Sequence, residues 1–299
     1  MLVVLVLVVR SRQPSFLSVP SLRVLLESAA PIMLLALGQM FVILIGGIDL
    51  SIAVLASFGT VLLAKWLPGM GVLGVLAMLV TLSMAGALNG FISAYLQVPS
   101  FIVTLGAMGL WSGVALTVSG ASTLPLREGY DAIGWLKDLR FVEIPASGVL
   151  ALVVVLVTAV LMRTLSAGRA LHAMGLAERA VLMSGGRTLR LRVLAFTLSG
   201  LCAGLAAVVL GATQFSGAPT LANALLLPAI AAVVVGGSAI TGGVGGPVRT
   251  LIGTLVIGVL RVGLNISGVD PAYEQVVYGV VIIAAVALTL DRSRMKVVK

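Results

Sequence analysis

Long apolar runs almost empty of charge dominate this chain and leave it few ways to fold. The windows 29–47, 71–95, 101–120 and 225–240 contain no Asp, Glu, Lys or Arg. A helix of about 20 apolar residues crosses the roughly 30 Å hydrocarbon core of a bilayer. Only helices or closed barrels satisfy their own backbone polar groups there. Over the 299 residues, 60% are apolar or aromatic, 10% are charged, and the mean hydropathy is +1.20, whereas soluble domains carry about 25% charge. The expectation is an all-α, polytopic transmembrane bundle of about ten helices, a single domain over residues 1–299. Too little chain remains for a sizeable soluble domain, so any catalytic work must reside on another chain.

A net charge of +9 and a pI near 10.6 also fit a nucleic-acid binder, so the placement of the basic residues decides. Arg163, Arg169, Arg179, Arg187, Arg190 and Arg192 fall in the segment 163–192, and Arg292, Arg294, Lys296 and Lys299 in the tail 291–299. Basic clusters between apolar runs, without interleaved aromatics, follow the positive-inside rule for cytoplasmic loops rather than the pattern of a phosphate-binding surface. No nucleic-acid partner is expected. The single cysteine, Cys202, lies in an apolar run and excludes a disulfide framework or a cysteine-based metal site within one chain.

Further spans are read at 51–66, 148–163, 191–212, 250–266 and 274–290, with a tenth at the start. The opening apolar run, 1–9, is shorter than the roughly 17–25 residues of a full span. It also lacks the charged n-region and cleavage site of a signal peptide. Residues 1–10 therefore read as a shortened first helix, the chain beginning inside it through a late start codon or truncation. Segment 163–192 has Glu178 as its one acid and is assigned to the cytoplasm with the tail, whereas 121–147 is near neutral and is assigned outside. Six spans precede the basic segment and four follow it, which places both termini in the cytoplasm. Arg10, Arg12 and Arg23 then face outward, against the bias.

Three stretches depart from plain lipid-facing helix. In Gly46-Gly47-Ile48-Asp49-Leu50-Ser51 the glycines end one helix, and Asp49 or Ser51 caps the next. The same stretch suits a broken helix bordering a translocation pathway, where irregular backbone lines water. In the second, Asn89 sits in an apolar helix, where an interhelical hydrogen bond of about 1 kcal/mol is its simplest role. Pro99 then marks a turn into the next span, which carries Thr104. The third, from Gly236 to Pro247, is Gly-rich but lacks the Lys of a phosphate-binding loop, and reads as a tight turn with close helix packing. No cofactor or metal site is expected: the one histidine, His172, lies in the cytoplasmic segment and reads as a solvated loop residue. Asp49 is the main candidate for an intramembrane carboxylate, with Glu274 near an outer interface, so support for ion coupling is thin.

Within 163–192 the run 168–186 has helix-forming composition. Helical spacing puts Ala177, Ala180, Val181 and Ser184 on one face, with Glu178 and Arg179 elsewhere. Such a helix lies on membrane lipids or docks in a groove of a soluble partner, and sequence physics favours neither.

Four strings, in order and at matching spacing, carry a resemblance. They are Ile45-Gly46-Gly47-Ile48-Asp49-Leu50-Ser51; Leu88-Asn89-Gly90 with Val98-Pro99-Ser100-Phe101-Ile102-Val103-Thr104-Leu105; Gly168-Arg169 with Ala180 and Ser184-Gly185; and Ile230-Ala231-Ala232-Val233-Val234-Val235-Gly236-Gly237 with Gly242-Gly243. From about Pro14 to Leu290 the chain resembles the inner-membrane permease subunits of bacterial ABC importers for monosaccharides, of the ribose, xylose and arabinose type. It departs at Leu225-Leu226-Leu227-Pro228, where many members carry an acid; a similar Pro occurs in permeases of the autoinducer-2 importer. The resemblance implies the ten-helix permease fold and a location in the bacterial inner membrane. The implied partners are an ABC ATPase subunit, a second permease subunit and an extracytoplasmic sugar-binding protein that docks on a face including 121–147. It further implies that the basic segment couples to the ATPase through Gly175, Glu178, Arg179, Ala180, Ser184 and Gly185. Candidate residues near the translocation path are Gly46, Gly47, Asp49, Ser51, Asn89, Thr104 and Asn265. Competing expectations are a permease for branched-chain amino acids or nucleosides, an ion-driven secondary transporter, and a membrane scaffold that transports nothing.

Overall fold

The computed structural model describes residues 2–141, 143–270 and 273–289; the basic tail lies outside them. Twelve α-helices are described: α1 Leu2–Arg12, α2 Val19–Leu44, α3 Ile52–Met70, α4 Val72–Tyr95, α5 Ser100–Ser119, α6 Asp131–Asp138, α7 Ala146–Thr164, α8 Ser166–Met183, α9 Thr188–Gln214, α10 Leu226–Val235, α11 Pro247–Ile266 and α12 Glu274–Thr289. Seven of these, α2, α3, α4, α5, α7, α9 and α11, are long and apolar enough to cross a membrane. The polytopic all-α bundle is therefore as expected, but three of the ten anticipated spans are short. Helix α1 has 11 residues, α10 has 10 and α12 has 16. The 225–240 span ends early because Gly237 takes a left-handed φ of 88° and turns the chain.

Helix α2 is the hub of the bundle. It starts ten residues before the hydropathy-based boundary, because Arg23, Glu27 and Ser28 in its first turns mask a continuous helix. From Ala29 to Leu44 every residue is buried, as befits a helix apolar all round. Helices α3 and α9 are also largely buried, whereas α4 and α5 leave Leu76, Val80, Met84, Phe101, Ile102 and Leu105 exposed. Those outward side chains suit lipid.

Small residues set the closest approaches. A Cβ on Gly86 of α4 would overlap the Phe196 carbonyl oxygen of α9, and one on Gly200 would overlap the Leu82 carbonyl oxygen. In lipid, helices gain little from burying apolar surface against each other and depend on such close packing.

The two ends of the bundle differ. At one end, 121–147 is a folded cap rather than a plain loop. Strand β1 (Leu124–Pro125) pairs with β4 (Ser216–Gly217), and β2 (Arg140–Phe141) with β3 (Ile144–Pro145). Helix α6 sits on the end of α9, with Tyr130 Oη donating to the Ala212 carbonyl (2.8 Å) and Lys137 Nζ 3.8 Å above the Phe215 ring. Arg23 pairs with Glu143 and so lies at this same end. The opposite end carries α8 and the glycine-rich turn after α10.

Gly86→Val and Gly200→Val should each lower the thermal stability of the detergent-purified protein, by about 1–3 kcal/mol for overpacking. Size-exclusion recovery after heating measures this, with Gly106→Val on the open face of α5 close to wild type.

Candidate functional site

The break between α2 and α3 follows from its glycines. Gly46, with φ 75°, donates its N–H to Ile43 O (2.8 Å), and Gly47 donates to Val42 O (2.9 Å). These are the paired bonds of a Schellman ending, which needs a left-handed residue at that position. The chain then runs without helix to Ser51, and its polar groups are met by side chains from neighbouring helices. Ser100 Oγ of α5 accepts from the Ile48 amide (3.3 Å), and Thr104 Oγ1 donates to Ile48 O (3.1 Å).

Asp49 is fully buried at the centre of this break. One carboxyl oxygen accepts from the Ser51 amide (2.9 Å) and the Ser51 hydroxyl (2.6 Å), and the other from Ser199 Oγ of α9 (2.7 Å). Asn89 Nδ2 of α4 donates to Ser51 Oγ (2.9 Å), which is an interhelical hydrogen bond. With its amide oriented to suit both partners, Gln39 of α2 donates to Asp49 O (3.0 Å) and accepts from Asp49 N (3.2 Å). Asp49 therefore closes a local Asx turn onto the Ser51 amide; Ser51 occupies the N-cap position of α3 but makes no side-chain capping bond and spends its hydroxyl on Asp49.

Beside the break lies a cavity of about 300 Å³, lined by Gly46, Gly47, Ser93, Ser100, Arg192 and Phe196 among others. Ser93 Oγ is buried there without a partner among the described residues.

Beneath the break sits α8, and the contact is backbone on backbone. A Cβ on Gly175 would overlap the Leu44 carbonyl oxygen and the Gly243 amide. The Gly243 N–H itself donates to Leu44 O (2.8 Å), and Gly242 lies against Gly46 and Gly175. The glycine-rich stretch is thus a tight turn that packs on both the break and α8, with left-handed φ at Gly242 (93°) and Gly243 (76°). His172 is not a solvated loop residue. It is half-buried between α8 and this turn, with Nδ1 3.0 Å from Gly168 O and Nε2 3.3 Å from Gly245 O.

Helix α8 does not present the expected continuous face of Ala177, Ala180, Val181 and Ser184. Ala177 has φ −159° and ψ 80°, which breaks the helix there, and beyond it Ala180, Ser184 and Gly185 are exposed while Val181 is half-buried. Glu178 and Arg179 are exposed as well. Glu178 holds Arg192 of α9, whose Nη2 lies 2.9 and 3.0 Å from its two oxygens.

The predicted residues therefore fall into three places. Gly46, Gly47, Asp49, Ser51, Asn89 and Thr104 gather at the break. Gly175 lies directly below it, with the other α8 residues beyond the kink. Asn265 lies apart, beside a second cavity at the capped end. Glu274 is buried with Arg261 Nε 3.4 Å away and Tyr278 Oη 3.3 Å away. Gln39, Ser199, Ser100 and Arg192 complete the break and escaped sequence reasoning. Gln39 carried a signal, as a lone amide in the 29–47 run; a serine in a transmembrane helix carries none.

Asp49→Asn can keep one oxygen for the Ser51 amide and hydroxyl but turns an N–H₂ on Ser199 Oγ, which must change from donor to acceptor, and should destabilise the purified protein by about 1–3 kcal/mol for the N–H left unsatisfied. Thermal unfolding in detergent measures this. Asn89→Ala should cost less, since the Ser51 hydroxyl keeps its bond to Asp49.

The family model described as the permease component of a branched-chain amino acid transport system matches residues 22–286. The ribose import permease protein of Bacillus subtilis (strain 168) is 35% identical over 298 residues, which cover 98% of this chain and 91% of that protein. A probable ABC transporter permease protein of Escherichia coli (strain K12) is 35% identical over 285 residues, 95% of this chain and 85% of the relative. The D-allose transport system permease protein of the same strain is 31% identical over 291 residues, 96% and 89% respectively. No solved structure matches. With seven span-length helices and a non-helical break between two of them, the chain is a multi-pass membrane protein of this ABC permease family and is similar to the ribose and D-allose permeases.

Proposed function

We propose that the chain is the membrane-spanning subunit of an ATP-driven, binding-protein-dependent importer of a monosaccharide or related sugar. Its relatives are named for ribose and D-allose, which favours a sugar over the branched-chain amino acids of the family description. In this reading the subunit sits in the bacterial inner membrane with both termini in the cytoplasm. ATP is hydrolysed on a partner ATPase. A second permease subunit, a copy or a paralogue, completes the pathway, and an extracytoplasmic binding protein delivers the sugar to the capped end.

The observation that carries the coupling is the seat of α8. Beyond the kink every residue of 178–185 except the half-buried Val181 is exposed, as a helix that docks in a partner's groove must be. The half before the kink touches the end of α2 through Gly175, with no side chain between the two backbones. A displacement of α8 by the ATPase is thus delivered at Leu44 and Gly243, next to the non-helical residues 46–51. Irregular backbone at that depth fits a gate that changes shape as the two subunits alternate between inward and outward access.

Glu178→Arg should abolish co-purification of a P-loop ATPase from native membranes and lower ATP-dependent sugar uptake in proteoliposomes at least tenfold. The half-exposed Glu178–Arg192 pair is itself worth about 1 kcal/mol or less, so the variant should remain folded. Uptake that follows an ion gradient and ignores ATP, or an ATPase that stays bound to the variant, would sink the reading.

A further inference from the structure

The cavity beside Asn265 has about 510 Å³ of space and lies between α2, α9, α11 and the segment leading into α10. That volume is in the range of small-molecule sites. Three helices each bring two polar side chains to it: Glu27 and Ser28 from α2, Thr213 and Gln214 from the end of α9, and Arg261 and Asn265 from α11. Arg261 and Asn265 are four residues apart and share a helix face. Aliphatic side chains such as Leu210 and Leu225 line the remainder.

The hydrogen bonding within this group is incomplete. Among the described residues the carboxylate of Glu27 and the amides of Gln214 and Asn265 have no side-chain partner. The hydroxyls of Ser28 and Thr213 donate to backbone carbonyls of their own helices, at 3.0 and 2.9 Å, and keep their acceptor lone pairs free. Arg261 already holds Glu274. Glu27 lies eight residues inside α2, about 12 Å along its axis. An unpaired carboxylate facing hydrocarbon there would cost several kcal/mol, so the cavity is wet or filled.

We infer that this cavity is a binding site for a neutral polyhydroxylated molecule, a sugar, at the capped mouth of the subunit; the inference rests on the function proposed above. The free groups comprise a carboxylate, two amides and two hydroxyl acceptors, which together both accept from and donate to a ring of hydroxyls. The aliphatic wall suits the C–H face of such a ring. An anion meets the uncompensated Glu27. A zwitterionic amino acid needs a free cation for its carboxylate, and the guanidinium here is shared with Glu274.

The test uses the whole transporter, with its ATPase and binding protein, in proteoliposomes, and D-ribose and D-allose as probes. Glu27→Gln and Asn265→Ala should raise the KM for uptake at least fivefold and alter the preference between the two sugars. Thr220→Ala, exposed at the same end outside the cavity, should behave as wild type. Because Glu27→Gln can impair folding, a second measurement uses Asn265→Cys in a Cys202→Ala background. A charged, membrane-impermeant maleimide should label it, and saturating sugar should slow the labelling severalfold. Wild-type sugar uptake with both variants within twofold of it, or labelling that sugar does not slow, overturns the site and leaves the importer intact. A wild-type complex that imports a branched-chain amino acid with ATP and neither sugar overturns the importer reading, and this site with it.

Discussion

A buried carboxyl group with no cationic partner among the described residues must be answered by hydrogen-bond donors, and the way Asp49 is answered organises the bundle. Its partners lie on its own loop and on α9, and through Ser51 the network reaches α4; Gln39 of α2 holds the same residue by its backbone. Helices that gain little from burying apolar surface in lipid are thereby held in one register by polar contacts. Each bond is modest, yet the alternative for every member is an orphaned polar group in a low-dielectric interior. The broken backbone at 46–51 is tolerable only because this shell surrounds it.

Glycine plays the complementary part. Where the polar shell fixes lateral positions, the missing side chains of Gly175, Gly242 and Gly243 let three backbone segments meet beneath α2. Backbone contact is stiff. A flexible side chain absorbs a small displacement by changing rotamer, and a carbonyl wedged against an α-carbon does not.

Much of this was legible in the sequence because lipid imposes simple rules. Apolar windows without charge gave the polytopic helical class, and the pairing of Gly46-Gly47 with Asp49 and Ser51 marked the break. What was not legible had definite causes. The start of α2 was hidden by Arg23 and Glu27, which a hydropathy window counts against a span although they sit at its wet end and beside a cavity. The kink at Ala177 was hidden because alanine is a strong helix former and tertiary packing overrode it. Ser199 and Ser93 were hidden because a serine in an apolar helix gives no clue to what it faces. The folded cap at 121–147 was hidden because its strands are two residues long and leave no alternating pattern.

The kink at Ala177 has a consequence for how such a subunit changes over generations. The portion of α8 before it is tied to the bundle through glycine contacts, while the portion after it holds the bundle mainly through the Glu178–Arg192 pair. Substitutions at the exposed positions of 179–185 can therefore accumulate with little effect on the packing of the helices. Under the proposed function, the choice of motor and the choice of cargo are written in separate parts of the chain, so one can be exchanged while the other is kept.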